Sequence, residues 1–460
     1  MEFDVTTINP EETRVIHRDL RRPYPLVVRG EGIYLYDAEG RRYIDGSGGS
    51  AAVTAIGHAV PEVVAVLAEQ ASRLTYAPTH VFTSGPVERC ARLIIERFAP
   101  AGFRDGKVWF VSGGSEAVEN AVKMALQYHR DRGEGTRRIV IGRWGAYHGS
   151  TLATLALGGN ASRRRPYGGA LPAAEHIPPC HPYRCWMNRA CPPCDLSCAD
   201  NLDRLIRQLG PENVAAFIAE PVVGATLGAV AAPPGYFARI RDICDRFGLL
   251  LIADEVMTGF GRTGRPFALD HWRVEADLIA CAKGIAGGYA PLGAVIARAG
   301  VVAAVAQRTG SFVIGHTSSG NPLACAAGAA VLQYLLDHDL IARAAEAGEY
   351  LLAGLRALAD RHPIIGDVRG LGLLVAIELV RDRVTKEPFP PDWTVAARLS
   401  AATLARGLVS YPGAGTADGM AGDHLLYAPP LTITISQIDD LLAILDDSLA
   451  SIAGELALSA

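Results

Sequence analysis

Lys283 is the residue whose place in the sequence most strongly indicates chemistry. It follows the apolar run 278–282 and is itself followed by Gly284 and by Gly287-Gly288. A strongly hydrated ammonium is rarely placed at the end of a buried segment without a function. Desolvation lowers the pKa of a lysine and makes its amine a nucleophile toward an aldehyde. The alternative, a lysine whose charged end reaches solvent, is disfavoured because the glycines leave little side-chain bulk nearby.

Asp254 is the second candidate, because it ends another apolar run, residues 249–253. A carboxylate in such a place costs several kcal/mol unless a partner compensates its charge. The protonated nitrogen of a pyridine ring would be such a partner. At ~4 Å and an effective dielectric of ~20 the pair is worth ~4 kcal/mol before desolvation, or about three pKa units. The other interpretation is an aspartate that caps a junction between strand and loop.

Residues 112–117, Ser-Gly-Gly-Ser-Glu-Ala, form the third candidate, a site for an anion. They follow a strand-like run and open a helical pattern. Glycines let the backbone approach an anion closely, and a helix N-terminus offers free N–H groups and the positive end of a dipole. The hydroxyl of Ser115 would add a further donor. The alternative is a helix cap with a flexible turn.

The elements that must position these residues are buried parallel strands. Between about Pro61 and Asp337, apolar runs alternate with helical patterns, as in a parallel sheet with helices on both faces. The runs are continuously apolar, as strands buried on both faces are. Ligands of open parallel sheets bind outside the carboxyl ends of the strands. We therefore predict one crevice at the ends of five strands: 108–111, 139–141, 214–219, 249–253 and 278–282.

The two ends of the chain are predicted to form a smaller domain. Before Pro61, two short strands flank a turn at residues 37–40. After about Leu340 the patterns predict a long helix, a strand over 371–380, a helix over 394–407 and a final helix after Ile435. The predicted division is an N-terminal segment 1–60, a large domain 61–337 and a C-terminal part 338–460, with the first and last joined in one α+β domain.

Composition excludes several classes of function. A formal net charge of −4 gives no electrostatic reason to bind nucleic acid or an anionic membrane. The N-terminus, Met-Glu-Phe-Asp, has neither the basic flank nor the apolar core of a signal peptide. The run 249–253 is far shorter than the roughly 20 residues needed to cross a bilayer. We therefore predict a cytoplasmic protein.

Five of the nine cysteines lie between residues 180 and 198. Cys191 and Cys194 have the spacing of zinc ligands, and Cys180, His181, Cys185 or Cys198 is available to complete a site. No second regularly spaced pair follows, and cysteine-rich loops also occur as packing or as disulfides. We predict no metal site and assign the loop no role.

Together, the three candidate stretches resemble the class III (omega-type) aminotransferases of the fold-type I pyridoxal-phosphate enzymes. The resemblance runs from Asp45-Gly46 and Gly57-His58 through Pro429-Pro430-Leu431. It implies an α/β fold, with a mostly parallel seven-stranded sheet between helices and a smaller α+β domain. It also implies that pyridoxal 5'-phosphate is the cofactor, held by Lys283 as a Schiff base, and that the reaction is amino-group transfer.

The resemblance assigns roles to further residues. Gly114 and Ser115 would hold the cofactor phosphate. Tyr147 would stack on the pyridine ring, with His148 beside it, and Val256 would pack on the opposite face of the ring.

Two more residues have implied roles, one of them in assembly. Glu220, in Ala-Glu-Pro, matches the active-site glutamate of the family. Thr317 matches a threonine that reaches the phosphate of the neighbouring subunit. A homodimer, and a tetramer as a larger form, are therefore implied.

The sequence departs from the family at the positions that bind a substrate carboxylate. Members that use ornithine-like substrates carry an arginine where this chain has Leu426, and a glutamate that pairs with it where this chain has Ala225. Amine:pyruvate members carry a mobile arginine where Tyr411 stands, and Met257 replaces a glutamine found in some members. We expect Tyr76, Tyr411 and Leu426 in the substrate pocket.

These departures predict an amine donor, or a donor whose amino group is not beside a carboxylate. The predicted acceptor is a small 2-oxo acid such as pyruvate. Arg163, Arg164 and Arg165 are the candidates to bind its carboxylate. An epimerase or aminomutase, or a decarboxylating transaminase, is the alternative on the same scaffold.

Overall fold

The continuous apolar runs form the interior of one seven-stranded sheet in the computed structural model, which describes residues 6–187 and 193–459. Val214–Ala219 and Leu250–Asp254 are buried at every position, which explains why neither strand alternates apolar with polar residues. In chain order, the strands of the described residues are β1 (Thr7–Ile8), β2 (Tyr24–Pro25), β3 (Val27–Glu31), β4 (Tyr34–Asp37), β5 (Arg42–Ile44), β6 (Lys107–Val111), β7 (Ile139–Arg143), β8 (Glu175–Ile177), β9 (Val214–Ala219), β10 (Val222–Val223), β11 (Val230–Ala231), β12 (Leu250–Asp254), β13 (Leu278–Cys281), β14 (Gly293–Ala297), β15 (Ile365–Leu371), β16 (Leu374–Leu379), β17 (Tyr411–Ala414) and β18 (Asp423–Tyr427).

The large sheet is parallel except at one strand. Its order is β6-β14-β13-β12-β9-β7-β8, and β14 runs antiparallel to both of its neighbours. The other six strands therefore point the same way, and the predicted mostly parallel seven-stranded sheet is confirmed. The five predicted strands are all in it, and their carboxyl ends meet at one edge.

Helices cover the sheet. The first turns of α3 follow β6, and the buried residues Ala117, Ala121 and Ala125 recur at helical spacing along the face that packs on the sheet. The helices of the described residues are α1 (Pro61–Arg73), α2 (Gly85–Leu93), α3 (Gly114–Asp131), α4 (Leu152–Leu157), α5 (Ala161–Arg164), α6 (Ser197–Leu209), α7 (Tyr236–Phe247), α8 (Ala299–Arg308), α9 (Pro322–Asp337), α10 (Leu340–Arg361), α11 (Val395–Ala405) and α12 (Ile435–Ser459).

The N-terminal and C-terminal parts of the chain meet at β5. The N–H of Ile44 donates to the carbonyl of Gly407 at 2.8 Å, and the N–H of Val409 donates to the carbonyl of Ile44 at 2.9 Å. A three-stranded sheet, β3-β4-β5, and a four-stranded sheet, β15-β16-β18-β17, lie in these parts. The division at residues 60 and 337 remains a prediction.

The predicted strand over 371–380 is shorter than expected and belongs to a hairpin. β16 covers Leu374–Leu379 and pairs with β15, a strand that the sequence patterns did not indicate. Gly372 lies in the turn between them with a φ of +53°, a backbone conformation that glycine adopts without strain. The patterns missed β15 because its residues are mostly half-buried and carry no regular alternation.

The cysteine-rich loop is attached to the small four-stranded sheet by charge. The guanidinium of Arg184 pairs with Glu378 of β16, which is fully buried. Arg369 of β15 approaches the same carboxylate at 2.7 Å. Cys180 and Cys198 are buried, and Cys191 lies outside the described residues.

Residues 6–187 and 193–459 contain no helix with the length and apolar character needed to cross a membrane. They also contain no group of three or more histidine, cysteine, aspartate or glutamate side chains placed to hold a metal ion.

Candidate active site

A cavity of about 150 Å³ lies at the carboxyl edge of the large sheet. It collects residues that lie far apart in the chain, because the strands that carry them end side by side. Eight residues predicted for the site line it, together with two that were not predicted as contacts, Gly149 and Met257. The eight are Gly114, Ser115, Tyr147, His148, Glu220, Asp254, Val256 and Lys283.

Lys283 follows β13 and is the amine of the cavity. Burial lowers its pKa to about 8, although the carboxylates of Asp254 and Glu220 act in the opposite direction. Its backbone lies in the left-handed region, with a φ of +47°. The lysine is therefore closer to its neutral, nucleophilic form at physiological pH than an exposed lysine is.

Asp254 is held in a fixed orientation by two hydrogen bonds. Its Oδ2 lies 2.7 Å from Nδ1 of His148, and its Oδ1 accepts from the N–H of Val256 at 3.1 Å. An ionised carboxylate only accepts, so Nδ1 of His148 donates. The other ring nitrogen of His148 is buried and has no hydrogen-bond partner in the described part of the chain. The sequence placed His148 in the site, but this pairing gives it a defined role.

Glu220 fastens the loop after β7 to the end of β9. Its two carboxylate oxygens accept from the N–H of Tyr147 at 2.9 Å and from the N–H of Gly224 at 3.2 Å. Burial raises the pKa of Glu220, and the Asp254 carboxylate contributes in the same direction. The glutamate thus sets the position of the aromatic ring of Tyr147 through the backbone.

The N-terminus of α3 forms the end of the cavity where an anion is predicted to bind. A Cβ on Gly114 would lie 2.7 Å from a methyl group of Val256, so only glycine fits there without a shift. The hydroxyl of Ser115 accepts from the N–H of Ser150 at 3.1 Å. Gly149 has a φ of +139°, and a Cβ there would lie 2.6 Å from the same hydroxyl. The sequence analysis did not predict Gly149 as part of the site. Its position directly after Tyr147 and His148 is the sequence feature that could have indicated it.

An apolar cluster lies beside the cavity. Its residues occupy the positions where relatives are expected to carry a paired arginine and glutamate. Leu426 is fully buried and lies opposite Tyr411 in the register of β17 and β18. Both belong to an apolar cluster that includes Ala225 and Met257, and Met257 also lines the cavity. The two substitutions noted in the sequence, Leu426 and Ala225, are therefore neighbours in the same cluster.

Tyr76 and Thr317 lie together outside this cavity. The hydroxyl of Tyr76 donates to the carbonyl of Thr317 at 2.9 Å, and both residues are exposed in the single chain. The role predicted for Thr317 concerns a neighbouring subunit. That role, and the place of Tyr76 in the substrate pocket, remain predictions.

Comparison with known proteins identifies the family. The model of the family "Aminotransferase class-III" matches residues 16–449. The chain is 36% identical over 446 residues to an uncharacterized aminotransferase, YodT, of Bacillus subtilis, covering 96% of this chain and 98% of that protein. It is 34% identical over 460 residues to the putrescine–pyruvate aminotransferase of Pseudomonas aeruginosa, covering 96% and 97%.

Solved structures agree with this result. The crystal structure of an (S)-enantioselective omega-transaminase from Thermomicrobium roseum is similar, with a TM-score of 0.88 and 35% identity, covering 96% of this chain and 97% of that one. The chain therefore belongs to the class-III aminotransferase family. The predicted family, fold class and enzyme class are confirmed.

Proposed function

We propose that this protein is a pyridoxal-phosphate-dependent transaminase for amines. In this proposal the donor is an amine, or a compound whose amino group is not beside a carboxylate, and the acceptor is a small 2-oxo acid such as pyruvate. The observation that carries it is the apolar cluster of Leu426, Ala225, Met257 and Tyr411 beside a cavity that contains Lys283 and Asp254.

The residues of the cavity fit pyridoxal 5'-phosphate. Lys283 supplies an amine for the aldehyde, and Asp254 supplies a carboxylate for the ring nitrogen. Val256 supplies an apolar surface, while Ser115 and the first N–H groups of α3 suit a phosphate. Gly114 leaves the space that such a ligand needs, because any side chain there would meet Val256. When bound, the cofactor supplies an electron sink for the carbon that loses a proton.

The protein residues then have separate tasks. Asp254, oriented by His148, keeps the ring nitrogen protonated through its negative charge. The neutral amine of Lys283 accepts the proton from the substrate carbon and returns it, as a positioned general base and acid does. Glu220 holds the backbone of Tyr147.

The preference for amines follows from the cost of burying charge. A carboxylate that enters an apolar pocket needs a cation, and a bidentate pair with arginine is the usual solution. Leu426 and Tyr411 occupy the two positions where such an arginine is expected. Uncompensated burial costs several kcal/mol, equivalent to a hundredfold or more in specificity. An apolar amine avoids this cost and gains about 25 cal/mol per Å² of buried surface. The name of the Pseudomonas relative, a putrescine–pyruvate aminotransferase, agrees with this class of substrates.

Half-reactions test the proposal. The cofactor-loaded enzyme is mixed with a panel of amines, with glutamate or with ornithine, and the conversion of its absorbance to the pyridoxamine form is timed without added oxo acid. We expect amines to convert it fastest and conversion to stop after one equivalent. An epimerase needs no acceptor, so it would turn over its substrate repeatedly without accumulating the pyridoxamine form. Glutamate as the fastest donor would contradict the assignment of the pocket.

The assembly belongs to the same proposal. We infer a homodimer, with a tetramer as a larger form, and a cytoplasmic location. The exposed position of Thr317, outside the cavity of its own chain, supports a contact with a second subunit.

A further inference from the structure

We propose that Arg163 binds the carboxylate of the 2-oxo acid acceptor. The inference rests on the proposed function, because it names the residue that recognises one of the two substrates. The pocket is apolar where relatives are expected to place an arginine, yet a 2-oxo acid brings a carboxylate that needs a cation.

Three consecutive arginines lie at the end of α5, Arg163 and Arg164 within it and Arg165 directly after it, and the structure separates their roles. Arg164 donates through Nη1 to the carbonyls of Leu155, Ala156 and Gly158, the last at 2.7 Å, and burial lowers its pKa. These bonds engage Arg164 with the backbone. Arg165 is exposed, begins a short 3-10 helix over residues 165–170, and does not line the cavity that Arg163 lines. Arg163 is the member of the three that contacts residues of the site.

The guanidinium of Arg163 lies between two aromatic residues of the site. Its Cζ is 4.8 Å from the centre of the Tyr147 ring. Its Nη2 donates to the hydroxyl of Tyr411 at 3.4 Å, a long hydrogen bond. No carboxylate of the described residues forms an ion pair with it. Its charge is thus available at the place where amine:pyruvate relatives are expected to supply an arginine from the Tyr411 position.

A second cavity connects Arg163 to the cofactor site. It measures about 460 Å³ and is lined by Arg163, Tyr147, Gly149 and Tyr167, among others. Tyr147 and Gly149 line the cofactor cavity as well, so the two spaces adjoin. A carboxylate in the second cavity meets a planar guanidinium, which is suited to two parallel charge-assisted hydrogen bonds.

This arrangement also suits a donor that has no carboxylate. The cation is supplied by α5 and not by the apolar cluster around Leu426. Its side chain is exposed and held by one long hydrogen bond and one ring contact. An amine is therefore able to occupy the apolar side without leaving a buried guanidinium unpaired.

The experiment compares cofactor-loaded wild-type enzyme with Arg163→Met, Arg163→Lys and the matched control Arg165→Met. Methionine keeps the apolar stem over Tyr147 and removes the charge. The first readout is equilibrium binding of pyruvate to the pyridoxal form, followed by absorbance and requiring no turnover. The second is the ratio of kcat/KM for pyruvate to kcat/KM for butanal, an acceptor without a carboxylate, in the reaction of the pyridoxamine form.

We expect Arg163→Met to weaken pyruvate binding, and to lower the pyruvate-to-butanal ratio, by about tenfold or more, the loss of a charge-assisted pair. Arg163→Lys should give pyruvate binding and a pyruvate-to-butanal ratio between those of wild type and Arg163→Met. An ammonium keeps the positive charge but lacks the planar pair of N–H donors of a guanidinium. Arg165→Met should match wild type. Equal effects of Arg163→Met and Arg165→Met would overturn the inference, as would an unchanged ratio or wild-type enzyme that does not bind pyruvate. Failure of the proposed function shows separately, as wild-type enzyme that no amine converts.

Discussion

Asp254 has both carboxylate oxygens engaged by the protein, one by His148 and one by the backbone of Val256. We expect Asp254→Asn to fold and to lose activity by a factor on the order of a thousand, because an amide cannot hold a ring nitrogen protonated and the pair is worth ~4 kcal/mol. The measurement is kcat at saturating cofactor. Asparagine keeps one oxygen acceptor, for either His148 or the N–H of Val256, and places an NH2 donor at the other position. The thermal stability of the variant is therefore measured as the control for folding. Near-normal activity would exclude the electron-sink role.

Lys283→Ala should abolish turnover and the covalent attachment of the cofactor, because Lys283 is the one lysine among the described residues that lines the cavity. Cofactor is still expected to bind without a covalent bond, through Ser115 and Asp254. Borohydride reduction of wild-type enzyme followed by peptide mapping identifies the attached residue. A reduced adduct on a different lysine would refute the assignment.

The lowered pKa of Lys283 predicts how covalent capture of the cofactor depends on pH. Only the neutral amine attacks an aldehyde, and a folded-state pKa of about 8 places the titration between pH 7 and 9. The neutral fraction rises from about 10% at pH 7 to about 90% at pH 9 and then levels off. Stopped-flow absorbance of cofactor-free enzyme should show this plateau. A rate that still rises steeply above pH 9, as for a free lysine measured in parallel, would contradict it.

At the scale of single residues, chemistry was easier to predict than contacts. Lys283 and Asp254 were found because each lies at the end of a buried apolar run, where a charged group needs a reason, whereas Glu220 was assigned by the family resemblance. The approach of Arg163 to Tyr411 joins residues that lie on different elements far apart in the chain. Spacing along the sequence carries no record of such a contact, so only the three-arginine group was recognised.

At the scale of elements, strands buried on both faces were the easiest to predict. β9 has the predicted bounds, because its apolar run is uninterrupted between polar ends. β8 has only three residues, and β15 is half-buried, so neither produces a strong pattern. The antiparallel direction of β14 depends on the chain path between strands, which local patterns do not encode.

The attachment of the cysteine-rich loop gives a prediction at this scale. Arg184→Met leaves the fully buried Glu378 with Arg369 alone, and removing one partner of a buried ion pair destabilises by roughly 3 kcal/mol. We expect a melting temperature several degrees lower. Arg207→Met removes an exposed pair on α6 and should cost at most about 1 kcal/mol.

A double variant shows whether charge is the cause. Arg184→Met combined with Glu378→Met removes the buried carboxylate together with one of its two cations, and Arg369 keeps its ion pair with Asp367 at 2.7 Å. Apolar replacement of a buried pair is often neutral. Recovery of the melting temperature in the double variant is the expected result. If Arg184→Met and Arg207→Met melt at the same temperature, the pair does not anchor the loop.

At the scale of the whole molecule, the surface near Tyr76 predicts a partner. Val81 and Phe82 are each 61% exposed, and Phe82 lines a surface pocket with Ala77 and Ser319, close in sequence to the hydrogen-bonded Tyr76 and Thr317. We expect sedimentation to show a homodimer, and dilution that separates the subunits to release cofactor, since Thr317 is predicted to reach the phosphate of the other subunit. A monomer that retains both full activity and cofactor would rule this out.

At Lys283 the requirement of catalysis for a lysine conflicts with stability, because the backbone of this residue lies in the left-handed region. A side chain in this region costs roughly 1–2 kcal/mol that glycine avoids, and the buried amine adds a desolvation cost. Selection for thermal resistance alone would therefore favour replacement of this lysine. A descendant of the chain that gave up catalysis but kept its fold should drift to glycine at this position.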